Sequence, residues 1–164
     1  MERSGWDLEV FVSDAGQAPF SAFLDGLDDF KFVALDTALR LVLTTRGLEL
    51  MNTEWLKALG QGLHVFRVRH TAEEIAHMFG AEADEEVAAA ADTGAVLLRT
   101  FVHFHGRRII LLLSGYDKGE DSSKGTQQRE IAKARKLLSQ WQAQQQRQRK
   151  AAKKQGSSPG PIRR

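Results

Sequence analysis

Trp55-Leu-Lys-Ala-Leu-Gly-Gln-Gly-Leu-His-Val-Phe-Arg-Val-Arg-His70 is the stretch on which the reading of the fold turns. From Leu63 to His70 it places His64, Phe66, Val68 and His70 on one side of an extended chain. Leu63, Val65, Arg67 and Arg69 fall on the other, because successive side chains of a strand point to opposite faces. Trp55 to Gly62 leads into this strand, with Trp55 read as a packing residue.

The flanks extend the pattern. Trp6 to Val12 alternates apolar and polar residues and reads as a first strand, closed by Ser13-Asp14-Ala15-Gly16. Pro19 sits where a first helical turn begins, and Phe20, Phe23, Leu24 and Leu27 follow at helical spacing. A longer helix runs from about Asp28 to Thr45 on Phe32, Leu35, Leu39 and Val42, with Gly47 as its C-cap. A third strand spans Val96 to Phe104 and a fourth Arg108 to Ser114, joined by the tight turn His105-Gly106-Arg107. A last helix runs from near Thr126 to about Arg149, with Ile131, Ala134, Leu137, Leu138 and Trp141 on one face. Between the second and third strands, residues 71–95 carry seven acidic residues and no Lys or Arg. That is far longer than a hairpin loop and reads as an acidic insertion, with a short helix at its Ala-rich end.

The strand faces make a first functional statement. One antiparallel sheet puts Phe66, Val68, Leu98, Val102, Phe104, Leu111 and Leu113 against the helices. The other face then gathers Arg67, Arg69, Arg99, His103, Arg108 and Tyr116. Two readings stand side by side: a face left to solvent, or one built around an anion. Arginines at mid-strand repel one another unless an anion sits between them, and a phosphate suits the guanidinium fork.

Composition narrows the classes. The chain has 164 residues, which fits one domain, and 42% apolar content, which suffices for a core. It has no cysteine, which excludes a disulfide scaffold, a Cys-ligated zinc site and thiol catalysis. The longest aliphatic run, Ile109 to Leu113, is too short to span a membrane. The charged N-terminus carries no apolar stretch after it, so no signal peptide is expected and the expected location is the cytoplasm. Net charge is only +2, but Met1 to Gly125 sums to −8 and Thr126 to Arg164 to +10. The last quarter is thus a basic arm, suited to nucleic acid or an acidic partner, or else a solvated tail.

The motifs resemble a family. Trp55-Leu-Lys-Ala-Leu-Gly-Gln-Gly-Leu-His-Val-Phe-Arg resembles the "K-x-L-x-x-G-L-x-E-L-R" stretch of the phage-derived, HigB-like toxins of the RelE superfamily. Leu98-Arg-Thr-Phe-Val-His-Phe is similar to that family's next strand. Ile109-Ile-Leu-Leu-Leu-Ser-Gly-Tyr-Asp-Lys-Gly is similar to its "I-V-L-L-H-G-F-x-K-K", and Arg129-Glu-Ile-Ala-Lys-Ala to its closing "E-I-x-x-A". The resemblance covers roughly residues 6 to 142. Val65 stands where the family pattern has Glu, Ser114 where it has His, and Gly119 where it has a second Lys. The resemblance implies an α+β, RelE-like fold: a four-stranded antiparallel sheet with a mixed edge, an N-terminal helical hairpin and a C-terminal helix. Residues 1–142 are then the toxin domain, with 71–95 inserted. Residues 143–164 are a basic helical extension and disordered tail.

The implied activity is a metal-independent, ribosome-dependent mRNA endoribonuclease, the toxin of a type II toxin–antitoxin pair. Its partners would be the ribosome, mRNA and a cognate antitoxin of helix-turn-helix type, with no membrane and no cofactor. The alternative is a catalytically inactive RelE-like module that binds an antitoxin or nucleic acid, which Val65, Ser114 and Gly119 favour. Cleavage by the substrate's own 2′-OH needs cations for the developing charge, a role for Arg67, Arg99 and Lys118, the last of which could instead act as the acid. Proton transfer falls to Tyr116 or His103, with His105 as a further candidate, and Tyr116 could instead stack on a base. His103 and His105 lack a third nearby ligand, so no metal is assigned. Arg69, Arg107, Arg108, Lys124 and Arg129 are the candidate RNA-binding cations.

Overall fold

Leu63–Val68 folds as β3 and lies second from one edge of a five-stranded mixed sheet, in a computed structural model that describes residues 5–80 and 95–156. The other strands are β1 (Asp7–Val10), β2 (Leu56–Gly60), β4 (Leu98–His105) and β5 (Ile109–Asp117), in spatial order β1-β5-β4-β3-β2. β1 runs parallel to β5, and every other neighbour is antiparallel. The α+β class and the mixed edge match expectation, but the sheet has five strands rather than four. The extra strand is β2, read from sequence as a mere approach. Gly60, Gln61 and Gly62 all take positive φ and turn the chain back on itself, so Leu56 pairs with Phe66 and Lys57 with Val65.

The helices are α1 (Pro19–Asp25), α2 (Asp29–Ala38), α3 (Thr44–Arg46), α4 (Ala72–Met78) and α5 (Lys124–Gly156). Pro19 opens α1, where its missing N–H costs nothing. Asp28 caps α2 by accepting a hydrogen bond from the Lys31 amide at 2.8 Å. The long helix expected to Thr45 is interrupted: a π-helical turn, Leu39–Leu43, separates α2 from α3. Phe32, assigned to its apolar stripe, is exposed, and Phe30, Ala34 and Ala38 face the core instead. Gly47 does end the helix, at φ 48°, and Trp6 lies flat on it: a Cβ there would stand 2.1 Å from the indole Nε1. Within the acidic insertion, Thr71 and Glu74 close a capping box on α4. The Ala-rich end expected to be helical lies outside the described residues. The last helix is longer than expected at both ends, and it runs unbroken through residue 142.

The largest departure concerns the second sheet face. One core places Phe66, Val68, Leu98, Val102, Ile110 and Leu112 against the N-terminal helices. A second core on the opposite face holds Val65, Phe101, Leu111, Leu113 and Tyr116 against Ala134, Leu137, Leu138 and Trp141 of α5. That face is therefore not a solvated antiparallel surface, and Leu111 and Leu113 do not join the first core. The cause is a bulge in the β4–β5 ladder: Phe101 pairs with Ser114, but Val102 pairs with Leu112. One extra residue reverses the alternation halfway along β5. It lets Leu111 and Tyr116 share a face, which strict alternation forbids.

Candidate functional site

Where α5 begins, the second core gives way to a polar cleft. The β3–β4 ladder sets Arg67 directly opposite Arg99, and the β4–β5 ladder sets Arg99 opposite Tyr116. The three side chains form a row across the sheet on the face that α5 covers farther along. Together with Lys57 and Lys118 they line a cavity of about 170 Å³. Val65 and Phe101 floor it, and Gln127 and Ile131 of α5 wall it on one side. The cavity thus collects four cations, and among the described residues no Asp, Glu or His lines it.

Each cation is held differently. Arg67 donates from Nη2 to the Thr53 carbonyl at 2.8 Å, while its buried Nε has no partner among the described residues. Burial, and then the charge of Arg69, lower the Arg67 pKa. Burial also lowers that of Arg99. Both guanidiniums stay charged at any physiological pH, because their ordinary values are so high. Lys118 is held by its backbone. Its amide donates to the Leu97 carbonyl at 2.9 Å, and the next amide, Gly119, donates to Asp117 Oδ1 at 2.9 Å. Asp117 is in turn fixed by Lys31, whose Nζ lies 2.5 Å from Oδ2. The Arg99 charge foremost, then burial, depress the Lys118 ammonium below its ordinary 10.5. Tyr116 stacks on Phe101, with centroids 6.1 Å apart and planes 10° from parallel. Burial raises its pKa above 10, so it is a neutral phenol at pH 7.

Of the five residues expected to be catalytic, Arg67, Arg99, Tyr116 and Lys118 converge. His103 does not. It shares their face of the sheet but lies farther along β4 beneath α5, against Trp141 and His105, with Nδ1 2.8 Å from the Gly62 carbonyl. The candidate RNA-binding cations scatter. Arg69 is exposed beyond the end of β3 and near enough to add to the repulsion on Lys118. Arg107 and Arg108 lie in the β4–β5 turn at the other end of the strands. There Arg108 packs over Trp6 and donates from Nε to the Gly5 carbonyl at 2.8 Å. Lys124 and Arg129 are exposed on the first turns of α5, Arg129 donating to Thr126 Oγ1 at 2.8 Å.

Lys57, Gln127 and Ile131 line the cavity and were not assigned from sequence. The signal for Lys57 was present: glycines at 60 and 62 mark a hairpin turn, and a hairpin brings Lys57 beside Val65. No sequence signal placed Gln127 there, because its position depends on how α5 docks. That docking is set in part by Arg135, which donates to the carbonyls of Leu59 at 2.6 Å and Gly60 at 3.2 Å. No protein family model, curated protein or solved structure matches the chain.

Proposed function

We propose that the chain is a metal-independent endoribonuclease of RelE-like fold that cuts mRNA on the ribosome. The observation that carries this reading is the cavity itself: Lys57, Arg67, Arg99 and Lys118 face one small space that, among the described residues, no carboxylate or imidazole lines. Cations crowded together are complementary to an anion, and fixed cations aimed at developing charge often contribute more to catalysis than any other effect. The scissile phosphate fits between Arg67 and Arg99. The substrate 2′-oxygen attacks phosphorus and the bond to the 5′ oxygen breaks, leaving a 2′,3′-cyclic phosphate. Lys118 as free amine takes the 2′-OH proton, since its depressed pKa raises the fraction of free amine. The Tyr116 phenol gives a proton to the departing 5′ oxygen. The resemblance adds an antitoxin of helix-turn-helix type as the partner that holds the activity in check.

The test is primer extension on an mRNA being translated in vitro. The expected result is new 3′ ends at codon-spaced positions that require ribosomes, lost by about 10²-fold or more in Arg67→Ala and Arg99→Ala. Both variants should fold normally. Full cleavage by both would remove the site from the reaction. A second reading is favoured by one observation: Val65 and Ser114 replace the Glu and His of the resembled motifs, and Val65 lines the cavity. On that reading the cavity binds the anion without cutting. A folded protein that binds RNA and leaves it intact would select this reading.

A further inference from the structure

We infer that the outer face of α5 is a second RNA-binding surface, one that grips the backbone of double-stranded RNA. That the polyanion is RNA rests on the function proposed above. α5 carries ten Lys and Arg against one acidic residue, Glu130. A helix that is merely solvated usually alternates charges at spacings of three and four, so that they pair. α5 cannot. At 3.6 residues per turn, Arg129, Lys133, Lys136, Arg147, Lys150 and Lys154 fall within about 100° of arc, opposite the Ile131–Trp141 apolar face. All six are exposed. They form a straight stripe about 38 Å long. The last core contact, Trp141, lies near its middle. Beyond that, Gln144 donates to the Val12 carbonyl at 3.0 Å, and Arg147 makes two 2.8 Å contacts with Asp14. These contacts brace the projecting half against the body.

The stripe favours a duplex over a single strand. Proteins grip single strands by stacking bases on aromatic rings, and the only aromatic of α5, Trp141, is buried against His103 and His105. A duplex keeps its bases stacked and offers phosphates, which a rigid row of cations can follow. A membrane surface fits less well, because α5 exposes no large apolar side chain to enter it. The stripe also points away from the cavity, so the two surfaces can be separated by mutation.

The test is fluorescence anisotropy of a labelled RNA duplex against the full chain over a salt series. Lys133→Glu, Lys136→Glu and Lys150→Glu together should weaken binding about tenfold or more and make the log–log salt slope shallower by about two to three, as the loss of three phosphate contacts requires. Unfolding midpoints should stay near wild type. Arg99→Met should bind the duplex as wild type does. Wild-type affinity in the triple variant overturns the inference, as does an equal loss in Arg99→Met. So does equal affinity for a DNA duplex or for vesicles of anionic lipid. Absence of cleavage by the wild-type chain, with its duplex binding intact, would sink the nuclease reading alone.

Discussion

Arg99 faces Arg67 across the β3–β4 ladder, and among the described residues no carboxylate lines the cavity they share. Like charges directly opposite one another on a sheet are destabilising. Arg99→Met keeps the aliphatic stem and removes the charge, so it should stabilise the empty protein, by up to about 1 kcal/mol. Inorganic phosphate should raise the melting temperature of wild type and leave that of the variant nearly unchanged. Thermal unfolding with and without phosphate decides this, and a less stable variant contradicts it.

Lys118 gives the pH counterpart. Its folded pKa is depressed, chiefly by Arg99, so the unfolded chain binds this proton more tightly. The penalty is therefore present at neutral pH and fades as pH rises from the lowered folded value toward 10.5. Under the proposed mechanism the same shift should make the cleavage rate climb with pH up to that lowered value. Lys118→Arg keeps the charge but cannot deprotonate. It should retain phosphate-dependent stabilisation and lose about 10²- to 10⁴-fold in cleavage, as read by single-turnover kinetics.

The elements around the site depend on a few seams. Asp117, nearly buried, joins three of them: it ends β5, accepts from the Gly119 amide and binds Lys31 of α2. Lys31 has its pKa raised, first by that hydrogen bond. The stabilisation is present throughout the range below 10.5 and is lost only as pH rises through the higher folded value. Asp117→Ala frees the Gly119 amide and leaves Lys31 without its partner. It should cost about 1–3 kcal/mol in urea unfolding, and it should reduce cleavage more than Lys31→Met, because only Asp117 shapes the turn that carries Lys118. Gly47 is a seam of another kind. Alanine there meets Trp6 at 2.1 Å from a positive φ, and overpacking with backbone strain should cost about 2–4 kcal/mol by the same measurement.

At the scale of the whole molecule, a sheet covered on both faces turns one end of α5 into a cavity wall. Leu138→Ala, in the second core, should destabilise by about 2–5 kcal/mol, with a matching loss of cleavage near the melting transition. Ending the chain after Gln142 removes the Gln144 and Arg147 contacts, which are exposed. That chain should still unfold cooperatively and lose no more than about 1–2 kcal/mol. Circular dichroism melts of the two variants separate the half of α5 that builds the fold from the half that projects.

Much of this was legible in the residues. Alternation from Leu63 to His70 and from Val96 to Phe104 identified the central strands, and it put Arg67 and Arg99 on one face, because a strand's period is local to its own backbone. Pro19, Gly47 and Gly106 marked a helix start, a helix end and a strand turn for equally local reasons. The rest was decided by contacts between distant segments. Whether Leu113 follows the alternation or bulges out of it depends on how β5 pairs with β4. Whether Leu111 shares a face with Tyr116 depends on that bulge, and whether His103 faces phosphate or Trp141 depends on where α5 lies. Sequence periodicity determines which residues share a face within one element; only the packing of elements upon one another decides what that face meets.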